Sequence, residues 1–246
     1  MEKNHRLRRI RSWIRSPRYH VLKAIDKYVG IGERFYSQKR ESYSPGDYRW
    51  LALTELLYGG RQLGGKSSGR NIGGDRMSPY HHNYGRSYAE FLKPMIDGIG
   101  DDFIIVEVGI LNGNGLALWC DLFPKARVIG MDLDLLNFEK NRAELEDLGA
   151  FEQNTPEVYN IDQLDRNVVN KVFREVLGDS KVNIFIDDGH HSIESIEITF
   201  EGIKPYLAEN YVCFIEDNFD TYDHLARRHR DCSWTTRGEM TVVRDR

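Results

Sequence analysis

From residue 103 onward, short apolar runs alternate with longer stretches in which apolar and polar positions mix. Phe103 to Val108 (FIIVEV) is apolar at every position but Glu107, which predicts a parallel strand covered on both faces rather than a half-exposed one. Leu116 to Phe123 reads as a crossover helix and Arg127 to Met131 as a second strand, so 103–134 predicts one complete βαβ unit. Lys181 to Ile186 and Tyr211 to Ile215 are further apolar, β-branched runs, separated by a helical stretch from Ser192 to Leu207. The Arg237-Gly238 turn followed by Met240 to Val243 predicts a closing antiparallel hairpin. Upstream, Asp47 is placed to cap a helix over Tyr48 to Tyr58. The pattern therefore predicts an α/β, Rossmann-like sheet, mostly parallel, with a C-terminal antiparallel hairpin and an N-terminal helical extension.

The chemistry sits where these strands end. Gly109, Gly113 and Gly115 space the turn after the first strand as GxxxGxG, one residue longer than the dinucleotide fingerprint, and glycine permits backbone angles and close approaches that a Cβ forbids. Taken alone, such a turn is as compatible with a ligand-free strand-to-helix connection as with a nucleotide loop. Asp132 ends the second strand, where a carboxylate can accept hydrogen bonds from ribose hydroxyls. The third run leads straight into Asp187, Asp188, Gly189, His190 and His191, and the fourth into Glu216, Asp217 and Asn218. Ligands of open α/β sheets bind beyond the carboxyl ends of the strands, so loop, Asp132 and both clusters are expected in one crevice. Carboxylates gathered there repel one another unless something cationic neutralises them, and a hard divalent ion such as Mg²⁺ suits oxygen ligands.

At this point the chain resembles the class I S-adenosylmethionine-dependent methyltransferases, in particular the metal-dependent sugar O-methyltransferases of macrolide and other natural-product biosynthesis (the mycinamicin and demethylmacrocin type). The resemblance rests on DRMSPYHHNYGRSYAEFL (75–92), VEVGILNGNGLALWCDLFPKARVIGMDLD (106–134), IDQLD (161–165), IDDGHH (186–191) and FIEDNFDTY (214–222), taken in order. It implies a basic helical N-terminal extension with a glycine-rich loop over 1–74 and a methyltransferase domain over 75–246. It also implies S-adenosylmethionine contacts at Glu107, Gly109, Gly113, Asp132, Asp162 and Gln163, and a segment carrying His82 and Tyr84, with Tyr80 and His81, that closes over the cofactor. Asp188, Glu216 and Asp217 would hold Mg²⁺ or another divalent cation, and His191 would act as general base. His190 is the alternative base or a metal ligand, although its offset from Asp188 departs from the motif. The implied reaction is methyl transfer to a hydroxyl of a free, nucleotide-linked or aglycone-linked sugar, in a cytoplasmic homo-oligomer without nucleic-acid partners. A catechol-type O-methyltransferase, using Asp188, Asp217 and Asn218 on a phenol, is the second reading. An NAD-dependent oxidoreductase lacks the dinucleotide spacing here, and a non-catalytic scaffold leaves the acidic clusters without a purpose.

Composition adds limits. The 246 residues are 40% hydrophobic and 29% charged, ordinary for a globular chain with one α/β core and an appendage. No apolar run reaches the roughly 20 residues needed to span a bilayer, and no signal-peptide core stands out. Cys120, Cys213 and Cys232 are scattered without CxxC spacing, as suits buried thiols in a reducing compartment. Residues 1–40 hold twelve Lys and Arg against three acids, a net of +9 in a chain of net −4, with Leu7, Ile10, Trp13 and Ile14 on one helical face. A solvated basic helix packing by that face on its own domain is the plainer expectation; contact with an anionic membrane or an acidic neighbour is the other. Gly60 to Ser67 (GRQLGGKS) matches the phosphate-loop pattern, but SGRNIGG after it cannot start a stable helix, so a linker or lid is expected instead. Tyr222 and Trp234 are candidate pocket aromatics, with core the commoner place for such residues, and His224, Arg227, Arg228, His229 and Arg230 read as a solvated basic face or, alternatively, a contact for a phosphate on the acceptor.

Overall fold

The computed structural model describes residues 36–59, 76–77, 82–96 and 103–246. The basic arm before residue 36, the phosphate-loop look-alike, and Tyr80 and His81 lie outside the described residues. Helices α1 (Tyr48–Gly59) and α2 (Gly85–Ile96) precede a sheet built from β1 (Ile104–Val108), β2 (Arg127–Asp132), β3 (Glu157–Asn160), β4 (Val182–Asp187), β5 (Leu207–Ile215), β6 (Cys232–Arg237) and β7 (Met240–Asp245). The crossovers carry α3 (Asn114–Leu122), α4 (Leu136–Asp147), α5 (Arg166–Leu177) and α6 (Ile193–Ile203), and the short α7 (Thr221–Leu225) follows β5.

The seven strands run in the order β3-β2-β1-β4-β5-β7-β6. β1 through β5 pair in parallel, and β7 lies antiparallel between β5 and β6. Gly238, at φ 69°, makes the tight turn of the closing hairpin. Chain order reverses between β1 and β4, the switch point at which open α/β sheets leave a crevice beyond the strand ends.

Period-two alternation along buried strands sends neighbouring side chains to opposite faces, and each face has its own helical cover. Ile105, Val128, Ile184, Ile186 and Phe214 pack with Leu51, Tyr88, Leu92, Trp119 and Phe123 from α1, α2 and α3. Val106, Ile129, Phe185, Cys213 and Val243 pack on the other face with Val169, Phe173, Ile196 and Phe200 from α5 and α6. Asp165 caps α5 by accepting from Asn167 and Val168 N–H, and Val169, Phe173 and Leu177 then fall on one stripe at four-residue spacing. α1 begins as its sequence predicts, with Asp47 Oδ1 accepting from Arg49 N–H at 2.8 Å. Its Trp50, Leu51 and Tyr58 belong to the same core as the sheet. The cysteines are all buried and free. No helix among the described residues is long and apolar enough to cross a membrane.

Candidate active site

Beyond the β1 and β4 ends lies a cavity of about 490 Å³. Its glycine-loop wall is built from backbone. Gly109, at φ 89°, runs so close to β4 that an added Cβ would sit 2.2 Å from the Asp188 carbonyl oxygen. Gly113, at φ 82°, turns the chain into α3 against the Phe138 ring. Helix α3 starts two residues earlier than its apolar pattern suggests, because Gly115 lies inside it and lets Glu107 approach: a Cβ there would meet the Glu107 carboxylate at 2.4 Å. Asp132 Oδ2 accepts from the loop N–H groups of Ile110 (2.9 Å) and Leu111 (3.0 Å), and its Oδ1 from Asp134 N–H. Asp162 lines the same cavity and turns its loop by accepting from Leu164 N–H. Gln163 lines it too, but its amide is engaged at both ends, donating to Asp187 Oδ1 and Thr199 Oγ1 and accepting from His190 N–H.

The opposite side carries the charge: Arg76 and Asp188 line the cavity there, and Asp187, Glu216 and Asp217 stand outside its lining. Asp187, inside the strand end, is fully buried, and burial pushes its carboxyl up to about 6. Asp188 and Glu216 face a guanidinium that the sequence did not nominate: Arg76 Nη2 lies 2.5 Å from Asp188 Oδ2 and 2.7 Å from Glu107 Oε1, and its Nε 3.2 Å from Glu216 Oε2. The Tyr88 hydroxyl donates to Glu216 Oε1. Burial raises the affinity of Glu107 and Glu216 for a proton, while Arg76 opposes that shift in both. Asp217 turns the other way, at φ 57°, and accepts from the Tyr84 hydroxyl at 2.7 Å and from His82 Nδ1 at 3.0 Å. Burial alone would raise Asp217, but those two donors outweigh it and hold its carboxyl below the usual range. His191, at φ 60°, brings Nε2 to 4.0 Å from Asp188 Oδ1. Left-handed backbone at two such non-glycine residues costs on the order of 1–3 kcal/mol each, and here it aims both side chains at one spot. One ligand atom each from Asp188, His191 and Asp217 lies within 4.8 Å of the others, and so do His82, Asp217 and Glu239.

No family model and no curated protein matches the chain. Among solved structures it is similar to the MycE methyltransferase of the mycinamycin biosynthetic pathway in complex with Mg and SAH, at 15% identity and TM-score 0.51, over 69% of this chain and 51% of that one. It is similar also to MycE with Mg, SAH and mycinamycin VI, at 14% identity and TM-score 0.52, over 69% and 50% of the two chains. A putative caffeoyl-CoA O-methyltransferase from Staphylococcus aureus aligns over 64% of this chain and 81% of its own at 10% identity and TM-score 0.48. The strand order and the MycE superpositions decide the architecture. The fold is that of a class I methyltransferase. The chain spans about half the length of the MycE structures.

Within this class I methyltransferase fold, Glu107, Gly109, Asp132, Asp162, Gln163, Asp188, His190 and His191 line one cavity, whereas Glu216, Asp217 and Asn218, expected in the same crevice, are not among its lining residues. Gly113 shapes that wall from behind, and His82 and Tyr84 stand against Asp217 on the acidic side. Glu216 points into the protein toward Arg76 and Tyr88. Trp234 is core, its ring against Phe200 and its indole N–H donating to the His229 carbonyl, whereas Tyr222 is exposed. In the basic run, Arg228 pairs with Glu197 on the surface. Arg76, Glu55, Asn114 and Glu239 were not nominated by the sequence. Arg76 and Glu55 had no local signal: both Glu55 carboxylate oxygens accept from Met77 N–H, at 2.9 and 2.8 Å, which seats Arg76. Asn114 did have one, as a polar residue between two loop glycines; its side-chain nitrogen and oxygen are both buried without a hydrogen-bond partner.

Proposed function

We propose that this chain is an S-adenosylmethionine-dependent O-methyltransferase acting on a hydroxyl of a sugar or glycosylated small molecule, assisted by Mg²⁺ or another divalent cation. The observation that carries this reading is the continuity of the two walls: a glycine-and-amide cradle ending in Asp132 opens directly onto Asp188 and His191 in one cavity. The residues fit a polar, zwitterionic nucleoside ligand. Asn114 presents an unpartnered buried amide, the Glu107 oxygens accept no well-aligned hydrogen bond beyond their ion pair with Arg76, and Gly109 and Gly115 leave room where a side chain would collide. Asp132 is placed to accept from ribose hydroxyls, with Asp162 at the next loop toward the adenine. S-adenosylmethionine supplies an electrophilic methyl group and leaves as the neutral thioether.

On the other wall, Asp188 and Asp217 offer anionic oxygens suited to a hard cation, which typically takes only one or two carboxylates and completes its shell with water or substrate oxygens. Such a cation, when bound, orients acceptor hydroxyls and makes them more acidic. His191 stands beside both carboxylates and takes the proton from the acceptor oxygen as that oxygen attacks the methyl carbon; Asp188, 4.0 Å from Nε2, stabilises the resulting imidazolium. Holding acceptor and donor in line across one cavity supplies much of the acceleration, and no covalent enzyme intermediate is needed. The phenolic reading calls on Asn218, whose amide already donates to the His191 carbonyl and accepts from Asp220 N–H and Thr221 Oγ1, so the sugar reading is preferred. Calorimetry with S-adenosylmethionine, with and without Mg²⁺, followed by a mass-spectrometric screen of glycosides and catechols for a methyl gain, tests both levels. Saturable cofactor binding and a methylated glycoside are expected. Absence of cofactor binding defeats the enzyme assignment, methylation of catechols alone defeats the sugar assignment, and full activity in excess EDTA defeats the cation.

A further inference from the structure

The carboxylate that the family resemblance would give to the metal is already matched by a cation of the protein's own. Glu216 is almost completely buried, and its two oxygens face Tyr88 Oη and Arg76 Nε respectively. Arg76 is not a stray surface side chain. Only 11% of its side chain is exposed, Met77 beside it is tethered to the Glu55 carboxylate in α1, and its own carbonyl accepts from Tyr84 N–H at 3.0 Å. One guanidinium thus contacts Glu107, Asp188 and Glu216 at once, bridging the cofactor wall and the acidic wall. Buried carboxylates must be paired, and a planar fork of N–H donors answers several of them in fixed directions. A divalent ion seated on Glu216 would have to displace Tyr88 or Arg76, because both oxygens are engaged, whereas Asp188 meets the guanidinium through Oδ2 and turns Oδ1 toward His191. Asp217, one residue on, is free of that conflict, because its left-handed backbone carries its carboxylate to the other side, toward His82 and Tyr84.

We propose that Arg76 is a resident counter-ion that takes the place of a divalent cation at Glu216, so that a cation recruited to this site is held by Asp188 and Asp217 and not by Glu216. The inference rests on the reading that this sheet edge binds a divalent cation, and its test is kept separate from methyl transfer. Mn²⁺ serves as the probe, titrated into the full chain and followed by electron paramagnetic resonance, with thermal melting as a second readout. In the otherwise unchanged chain, Glu216→Gln is expected to alter the Mn²⁺ dissociation constant by less than about threefold, and Asp217→Asn to weaken it about ten- to a hundredfold. Arg76→Met should tighten Mn²⁺ about tenfold or more by freeing Glu216, and Arg76→Met/Glu216→Gln should lose that gain. Arg76→Met leaves buried carboxylates uncompensated and should melt roughly 6–20 °C lower, with the double variant recovering only the Glu216 share of the loss, because Glu107 and Asp188 still lack their guanidinium. If the single variant does not fold, Glu216→Gln and Asp217→Asn in the chain that keeps Arg76 decide the matter: weakening of Mn²⁺ by Asp217→Asn alone upholds the proposal, and equal weakening by both overturns it. Equal weakening by Glu216→Gln and Asp217→Asn overturns the proposal, as does an Arg76→Met chain that melts like the unchanged protein. If the unchanged chain binds no Mn²⁺, the cation assignment above fails by itself. The present inference is then decided by the Arg76→Met chain: a Mn²⁺ site that requires Glu216 upholds it, and none overturns it.

Discussion

On the β1–β2 side of the crevice, loop amides and glycines face the cavity, and the carboxylate of Asp132 is shared between two N–H groups of the very loop it supports. On the β4–β5 side, carboxylates face one another across a buried guanidinium delivered from a segment more than a hundred residues away in sequence. The first wall is local: strand, turn and helix lie within 103–134, and its geometry follows from where the glycines fall. The second wall is assembled, and its charge balance exists only once α1 and α2 have docked on the sheet. A cradle of backbone dipoles tolerates solvent and ligand exchange at little cost. A cluster of buried carboxylates does not, so loss of its cation is felt by the whole fold.

The sharpest way to break this contrast is at the chemistry itself. His191→Ala is expected to lower kcat by about 10²–10⁴, the range for a positioned general base, while leaving the cofactor dissociation constant within a few-fold because the glycine wall is untouched. His190→Ala should cost less, since its fixed contribution is a backbone N–H donated to Gln163, which the substitution retains. Steady-state kinetics beside cofactor calorimetry separates the two. A dead His190→Ala with a nearly active His191→Ala reverses the roles, and wild-type rates in both remove histidine from the mechanism.

The converse substitution sits on the other wall. Asp132→Ala should weaken S-adenosylmethionine binding by about 1.5–3 kcal/mol, roughly ten- to a hundredfold, through loss of charged hydrogen bonds to the ribose. It should also loosen the 110–111 turn, because both loop N–H groups lose their acceptor. An Asp132→Asn comparison, retaining one carbonyl oxygen for those amides, should melt closer to the unchanged protein yet still bind the cofactor poorly. An unchanged cofactor dissociation constant in both variants would put the ribose elsewhere.

What the sequence could and could not disclose follows the same division. The βαβ unit, both acidic strand ends, the α1 cap and the closing hairpin were legible because each is encoded by contiguous residues whose apolar period or turn chemistry has a short-range cause. β3 was harder to see: its four residues, Glu157 to Asn160, are none of them fully buried, so no apolar run marks it. α4 buries only Phe138 and Leu145 and shows no stripe. Arg76 was illegible for another reason. It lies in an irregular segment, where no periodicity says which way a side chain points, and an arginine there reads as solvated until its three carboxylate partners arrive from β1, β4 and β5. The physical demand for a cation was nonetheless readable from the carboxylates; what pattern alone could not supply is that the chain meets part of that demand with its own side chain.

The smallest expected effect supplies the control for Arg76. Arg127 donates from Nε and Nη2 to the two oxygens of Glu157, both at 2.8 Å, joining β2 to β3 outside the crevice. The hydrogen bond from Arg127 holds the Glu157 carboxyl below its ordinary value of 4.5. A carboxyl depressed in the folded state stabilises the protein above its unfolded value, and that contribution is lost as pH falls through the folded one. The geometry is bidentate, but the two side chains are 33% and 40% exposed, so solvent screening limits the pair to about 1 kcal/mol or less. Arg127→Ala should therefore lower the melting temperature near pH 7 by only about 2–4 °C, with the gap to the unchanged protein narrowing as the pH is taken below 4.5. High salt should shrink it as well, because an exposed pair is screened where a buried one is not. Melting curves across pH 3–7 at low and high ionic strength, run beside Arg76→Met, decide the matter. A loss for Arg127→Ala as large as that for Arg76→Met, or one indifferent to both salt and acid, would mean that burial does not set the worth of these arginines, and the distinction between the two walls would fall with it.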